Sequence, residues 1–220
     1  MILPTETILV LGGELSGLAA KQIQAFDPKR LIAVDQAYHK LQSFGLAPDF
    51  LIGDFDSVDG SKIACDIAKI ETHNQDMTDF EKSIHFIREQ CWGRTSIFGI
   101  GGGELDHIIG NIQVLVKNLE YEDEFYFFDY FASNCKIGCL VNKRLEFHSY
   151  LGAKISLFPY PKATVNSHGL KYKLSKQVIF QNRGILATRN ELIEPYGVLE
   201  VLEGLVLCIF DAQQGLFPKF

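Results

Sequence analysis

Short, almost wholly apolar runs alternate with amphipathic stretches through the first part of the chain, and that alternation admits few folds. Thr7–Leu11 (TILVL) ends at Gly12-Gly13, and Leu15–Phe26 then carries helical spacing that stops near Pro28. Arg30–Asp35 (RLIAVD) reads as a second strand, followed by a helical stretch through Phe44. Phe50–Gly53 (FLIG) reads as a third and Lys69–Thr72 as a further short one. Thr78–Cys91 reads as a helix with Phe80, Ile84 and Ile87 on one face, opened by a Thr78-x-x-Glu81 capping box. Thr95–Gly99 is a strand, Leu105–Leu119 a helix, and Glu124–Phe128 (EFYFF) a buried strand. Strands that are apolar on both faces need cover on both. The pattern therefore predicts an α/β domain with an open, mostly parallel sheet covered on both faces.

The helical period disappears after about Phe131. Lys136–Val141, Arg144–Ser149, Lys154–Phe158, Gly184–Ala187, Val198–Leu202 and Leu205–Phe210 are short, β-rich and separated by Gly, Pro or Asn. Such spacing predicts an all-β sandwich or barrel. The expected division is an α/β domain over 1–135 and a β-domain over 136–220. Charge follows the same line: the overall −6 resolves into −10 over residues 1–142 and +4 over residues 143–220. With 47% hydrophobic and 22% charged residues, disorder and a nucleic-acid-coating surface are excluded as expectations. The five cysteines have no framework spacing, which suits reduced, mostly buried thiols. Met1–Glu6 has no basic leader, and no run approaches the roughly 18 apolar residues of a membrane span. The expectation is a cytoplasmic protein with no membrane or nucleic-acid partner.

Chemistry concentrates in three loops that follow strands. Gly53-Asp54-Phe55-Asp56-Ser57 stands at the carboxyl edge of a parallel strand, where open α/β sheets bind ligands. Its two carboxylates, Asp54 and Asp56, can turn to one point and suit Mg²⁺. Asn74-Gln75-Asp76-Met77-Thr78-Asp79 leads into the helix, and capping alone leaves Gln75 and Asp76 unexplained. Gly99-Ile100-Gly101-Gly102-Gly103-Glu104-Leu105-Asp106-His107 carries a strand through glycines into a helix, a pattern compatible with a phosphate cradle of bare amides. Carboxylates alone repel phosphate, so acidic loops beside a glycine turn point to a divalent metal with a polyphosphate, and to phosphoryl or pyrophosphoryl transfer. These residues leave the acceptor open.

At these residues the chain resembles the thiamine pyrophosphokinases. Pro48-Asp49…Ile52-Gly53-Asp54-Phe55-Asp56-Ser57 resembles the family's P-D-x-I-x-G-D-F-D-S, and Gln75–Lys82 its D-x-T-D-x-x-K segment. Gly102-Gly103-Glu104-Leu105-Asp106-His107…Asn111 resembles G-G-R-x-D-H…N. Gly169–Leu174 resembles the G-L-K-Y-x-L strand, and Thr188–Glu191 an S-N-E segment. The resemblance implies an N-terminal Rossmann-like α/β/α domain and a C-terminal antiparallel β-sandwich. It implies an ATP- and Mg²⁺-dependent transfer of diphosphate to the thiamine hydroxyl, with release of AMP, by a homodimer. It implies that Asp54, Asp56 and Asp79 bind metal, supported by Gln75 and Asp76, and that Asp106 faces the reacting groups or the thiamine. Asp35, Thr78, Lys82, Gly102, Gly103 and His107 fall on the nucleotide side. Thr188 and Asn190 fall in a thiamine pocket that one subunit's β-domain completes against the other's α/β domain. Two departures stand out. Glu104 replaces the family's Arg, which would face phosphate and for which Lys82 is a candidate substitute. Asp35-Gln36-Ala37 keeps the Asp of A-D-G-G-A without its glycines. They leave two alternatives: a pyrophosphokinase for another hydroxymethyl heterocycle such as a pterin, or a catalytically weak thiamine-binding protein.

Overall fold

The computed structural model describes residues 6–54, 66–71, 74, 76–118, 125–131, 134–148, 150–185 and 187–212. The chain divides into two compact units, Pro4–Phe131 and Ala132–Phe220.

In the first unit the apolar runs become β1 (Thr7–Val10), β2 (Arg30–Val34), β3 (Phe50–Gly53), β4 (Ala68–Glu71), β5 (Thr95–Phe98) and β6 (Phe125–Phe131). They lie in the order β6-β5-β1-β2-β3-β4, and every pairing is parallel. Ile8, Leu9, Ile32, Leu51, Ile52, Ile97 and Phe98 are fully buried, as strands covered on both faces require. The chain moves from β1 to β4 in one direction and then returns to place β5 on the opposite side of β1. That reversal between β1 and β5 is a topological switch point.

Among the described residues four helices connect the strands: α1 (Gly17–Phe26), α2 (Ala37–Ser43), α3 (Asp79–Glu89) and α4 (Leu105–Lys117). Ser16 caps α1 by accepting from the Ala19 N–H at 3.2 Å, and Ala19, Ala20, Ile23 and Phe26 form its buried stripe. Phe26 meets Phe128 at 5.6 Å, and Phe98 stacks on Phe128 at 5.0 Å, so the EFYFF run is core. Thr78 caps α3 through the Glu81 N–H at 3.2 Å. The returning half of the expected box is absent. Glu81 is buried and faces α4 instead, where its Oε1 takes Lys117 Nζ at 2.7 Å and Asn118 Nδ2 at 3.1 Å. Those bonds, led by the one from Lys117, hold its carboxyl below the usual range against the opposing effect of burial.

The second unit is antiparallel: β7 (Asn134–Val141), β8 (Arg144–His148), β9 (Lys154–His168), β10 (Gln177–Phe180), β11 (Asn190–Glu191) and β12 (Tyr196–Ala212). Two expected strands, Val198–Leu202 and Leu205–Phe210, are one strand here. Its register shifts twice against β9, between Val201 and Glu203 and between Gly204 and Leu205. A Cβ on Gly204 would stand 2.2 Å from the Lys162 carbonyl oxygen, so the glycine marks a bulge rather than a turn. β12 pairs with β9 along its length, and on its other edge with β8 and then β7. Asp211 ties three of these strands. Its carboxylate accepts from Lys136 Nζ of β7, from the Lys154 N–H of β9 at 3.0 Å and from the Tyr150 hydroxyl at 3.4 Å. Around the expected strand 184–187 no strand is found among the described residues, whereas β10 escaped the sequence reading. Gly169–Leu174 is a turn with one bridge, Leu170 to Leu192. Cys135, Cys139 and Cys208 are buried free thiols, with Cys139 pushed up to about 12 by burial. Among the described residues no helix is long and apolar enough to cross a membrane.

Candidate active site

At the switch point, the segments that leave β1 and β5 are laced together. The Leu11 N–H donates to the Phe98 carbonyl at 2.8 Å, Gly13 to Gly99 at 3.0 Å and Glu14 to Gly101 at 2.9 Å. A Cβ on Gly13 would lie 2.2 Å from the Gly99 carbonyl oxygen, and one on Gly99 (φ 70°) would lie 2.4 Å from that of Leu11. Part of the glycine run read as a phosphate cradle is thus required by the close approach of two backbones. Gly12 and Gly103 differ, since a Cβ on either would meet nothing within 4 Å.

Both of these glycines line a cleft of about 440 Å³. Leu11, Val34, Phe80, Ile100 and Ile108 give it an apolar wall, while Asp35, Thr78, Asp79, His107 and Asn111 supply polar groups. Asn111 sits there because its Nδ2 donates to the Ile100 carbonyl at 3.2 Å. No lysine or arginine is among the described lining residues.

Asp35 follows β2 directly, in the left-handed region at φ 47°, its N–H donating to the Ile52 carbonyl at 2.9 Å. Its Oδ1 is buried with no hydrogen-bond partner among the described residues. Burial pushes this carboxyl above the usual range. A hydrogen bond from the Gln36 N–H opposes the rise, and the charges of Asp79 and Asp54 add to it. Acidic groups from just after β3 and from the start of α3 therefore both act on Asp35. Asp79 is held on the first turn of α3 by the Thr78 cap, and Lys82 Nζ meets its Oδ1 at 3.0 Å with only 9% of the lysine side chain exposed. That pairing commits Lys82 to a carboxylate.

Of the residues expected from sequence, Asp35, Thr78, Asp79, Gly103 and His107 come together on the cleft, and Asp54 stands near enough to act on Asp35. Asp76 is exposed in a turn closed by its N–H on Asn74 Oδ1 at 2.8 Å. Gly102 and Asp106 are exposed beside the lining residues, and Asp106 accepts from the His107 N–H at 2.9 Å. Glu104, also exposed, is the N-cap of α4 without a side-chain cap bond; ligand atoms of Glu104, Asp106 and His107 lie within 4.8 Å of one another. Asp56 and Gln75 lie outside the described residues. In the second unit, Thr188 borders a small hollow with Phe158, Tyr160 and Phe180. Asn190 is buried with both side-chain ends engaged: Oδ1 accepts from the N–H groups of Tyr172 and Glu191, and Nδ2 donates to the Tyr172 carbonyl. The sequence reading missed Lys40. Its Nζ donates to the carbonyls of Gly12 and Gly13, the latter at 2.6 Å. A lysine reaching back from α2 to the β1–α1 turn leaves no periodic or motif signal.

Comparison with known proteins converges on one group. A family model described as "Thiamin pyrophosphokinase, catalytic domain" matches residues 26–127. Thiamine pyrophosphokinase 2 of Arabidopsis thaliana is 30% identical over 191 residues, covering 77% of this chain and 67% of that one. The thiamine pyrophosphokinase of Bacillus subtilis (strain 168) is 27% identical over 196 residues, covering 81% and 85%. A crystal structure of thiamine pyrophosphokinase from Bacillus subtilis superposes with a TM-score of 0.78 at 23% identity, covering 94% of this chain and 100% of that one. The thiamin pyrophosphokinase structure from Candida albicans gives 0.75 at 17% identity, covering 95% and 90%. These two structures bear on the fold.

Proposed function

The chain belongs to the thiamine pyrophosphokinase family, and on that premise we propose that it transfers the terminal diphosphate of ATP to the thiamine hydroxyl, giving thiamine diphosphate and AMP. The observation that carries the reading onto this chain's own atoms is the meeting of Asp35, Thr78, Asp79, Gly103 and His107 on one cleft at the switch point. On the same reading the first unit is Rossmann-like and the second a β-sandwich. The protein would work in the cytoplasm as a homodimer.

Mg²⁺ fits the donor set. Asp35 Oδ1 is buried and unclaimed among the described residues, and Asp54 and Asp79 press charge onto it. Hard oxygens so arranged suit a small hard cation. Asp35, Asp54 and Asp79 would hold it together with Asp56, and it would supply the positive charge that neutralises the phosphates. The chain's own residues do the rest. Thr78 fixes the turn that presents Asp79, and Lys82 restrains that carboxylate; Gln75 and Asp76 support the same side. The wall of Leu11, Val34, Phe80 and Ile100 keeps water from the reacting phosphates. Gly102, Gly103 and His107 border the nucleotide, and Asp106 faces the reacting groups or the thiamine. Thr188 faces thiamine, whereas Asn190, its polar atoms spent on Tyr172 and Glu191, shapes the neighbouring turn.

The test is AMP formation that depends jointly on thiamine, ATP and Mg²⁺; pure folded protein that forms none overturns the proposal. Asp79→Asn should lower kcat at least 100-fold, the scale on which lost transition-state electrostatics act, with the circular dichroism spectrum unchanged. Light scattering should return twice the 24.7 kDa chain mass.

A further inference from the structure

A triphosphate entering this cleft meets carboxylates, an apolar wall and, among the described lining residues, no lysine or arginine. Lys82 is paired with Asp79, and Glu104 stands where the family's pattern places Arg. Among the described residues Lys40 also reaches the cleft's edge, and it addresses backbone. Its Nζ donates to the carbonyl oxygens of Gly12 and Gly13, while the Gly13 N–H on the other edge donates to Gly99. The turn that forms one wall is thus gripped from both sides. Gly12 is the weak point of that wall, because it has no side chain and a Cβ there would touch nothing within 4 Å. Left ungripped, a glycine peptide rotates readily, and each carbonyl oxygen it turns inward is a partial negative charge facing phosphate.

We propose that Lys40 is a positioning residue for the nucleotide: its ammonium holds the Gly12 and Gly13 carbonyls outward and so keeps the β1–α1 wall open to the polyphosphate. The proposal rests on the phosphotransfer reading of the cleft. It adds to that reading a residue that acts through backbone rather than by contact with substrate. Lys40 lies on α2, directly after Asp35. One connection therefore sets both the buried carboxylate and the clamp on the opposing wall.

The full-length protein and its Lys40→Met and Lys40→Arg variants decide the matter, with calorimetry of a non-hydrolysable ATP analogue in Mg²⁺ beside steady-state kinetics. K40M should weaken the analogue and raise KM for ATP roughly tenfold, the size expected for loss of a charge-assisted hydrogen bond. KM for thiamine should stay put, and Tm should hold within about 2 °C. K40R, which retains paired donors, should recover most of the affinity. Unchanged nucleotide affinity in folded K40M overturns the proposal. So does a parallel rise of both KM values with a falling Tm, or a K40R as impaired as K40M. If K40M does not fold, Lys40→Ala, which likewise lacks a donor, carries the same comparison. A parent protein that binds the analogue but makes no AMP would sink the phosphotransfer reading alone, with the clamp still judged by the loss of binding in K40M. A parent that does not bind the analogue sinks both.

Discussion

Asp35 combines three conditions that a purely structural residue avoids. It occupies left-handed backbone without being glycine, one of its carboxylate oxygens is buried and unclaimed among the described residues, and two other acids act on it. Backbone of this kind costs on the order of 1 kcal/mol or more and persists where a site needs it. Asp35→Asn should therefore separate stability from function. In metal-free buffer at neutral pH the variant should melt about 2–4 °C higher, the equivalent of roughly 1 kcal/mol in a chain of this length, while AMP formation is lost. A lower Tm would show that the charge is satisfied in the fold.

The two glycine segments make a contrast at the level of elements. Gly13→Ala sets a methyl against two carbonyl oxygens, those of Gly99 at 2.2 Å and Gly101 at 2.4 Å. It should destabilise the protein by about 1–3 kcal/mol in chemical denaturation, the usual cost of overpacking. Gly12→Ala, with nothing to strike, should leave the denaturation midpoint nearly unchanged. Equal effects would mean that the two turns are not interlocked. The parallel strands and their helices were legible beforehand because burial on two faces and a 3.6-residue period are local patterns. Phe80, Ile84 and Ile87 appear on the buried face where their spacing put them. What failed depended on distant partners. Glu81 completes a capping box on paper yet turns to Lys117 and Asn118. Gly204 looks like a turn until Lys162 is seen beside it. Lys40 acts 27 residues from the carbonyl it holds. For the candidate site, carboxylate-rich loops after strands could be read directly, whereas the orphaned oxygen of Asp35 required the packed fold.

For the molecule as a whole, part of the acid limb of stability should lie in the second unit, beside the share that buried Glu81 carries in the first. Burial alone would raise the pKa of Asp211. Lys136, through its hydrogen bond and charge, with the Lys154 N–H and Tyr150, nevertheless holds it below its ordinary 3.8. A depressed folded pKa means that this stabilisation is complete above the ordinary value and is lost as pH falls through the lowered one. Asp211→Asn should cost about 1–2 kcal/mol at pH 7, as expected when a partly buried charged hydrogen-bond acceptor is removed. It should also flatten the decline of Tm below about pH 4. A variant whose Tm keeps the parent's acid slope would show that Asp211 has no share in that limb. The second unit also differs from the first in when it can form. β7, β8 and β9 are all synthesised before β12, yet each finds a pairing edge on it. On the ribosome the first unit can close as soon as its own strands have emerged, whereas the second must wait for its last long strand. A stalled or truncated translation product ending before residue 196 would therefore carry a folded N-terminal half trailing a β-rich tail with unpaired edges, the kind of species that chaperones bind and proteases clear.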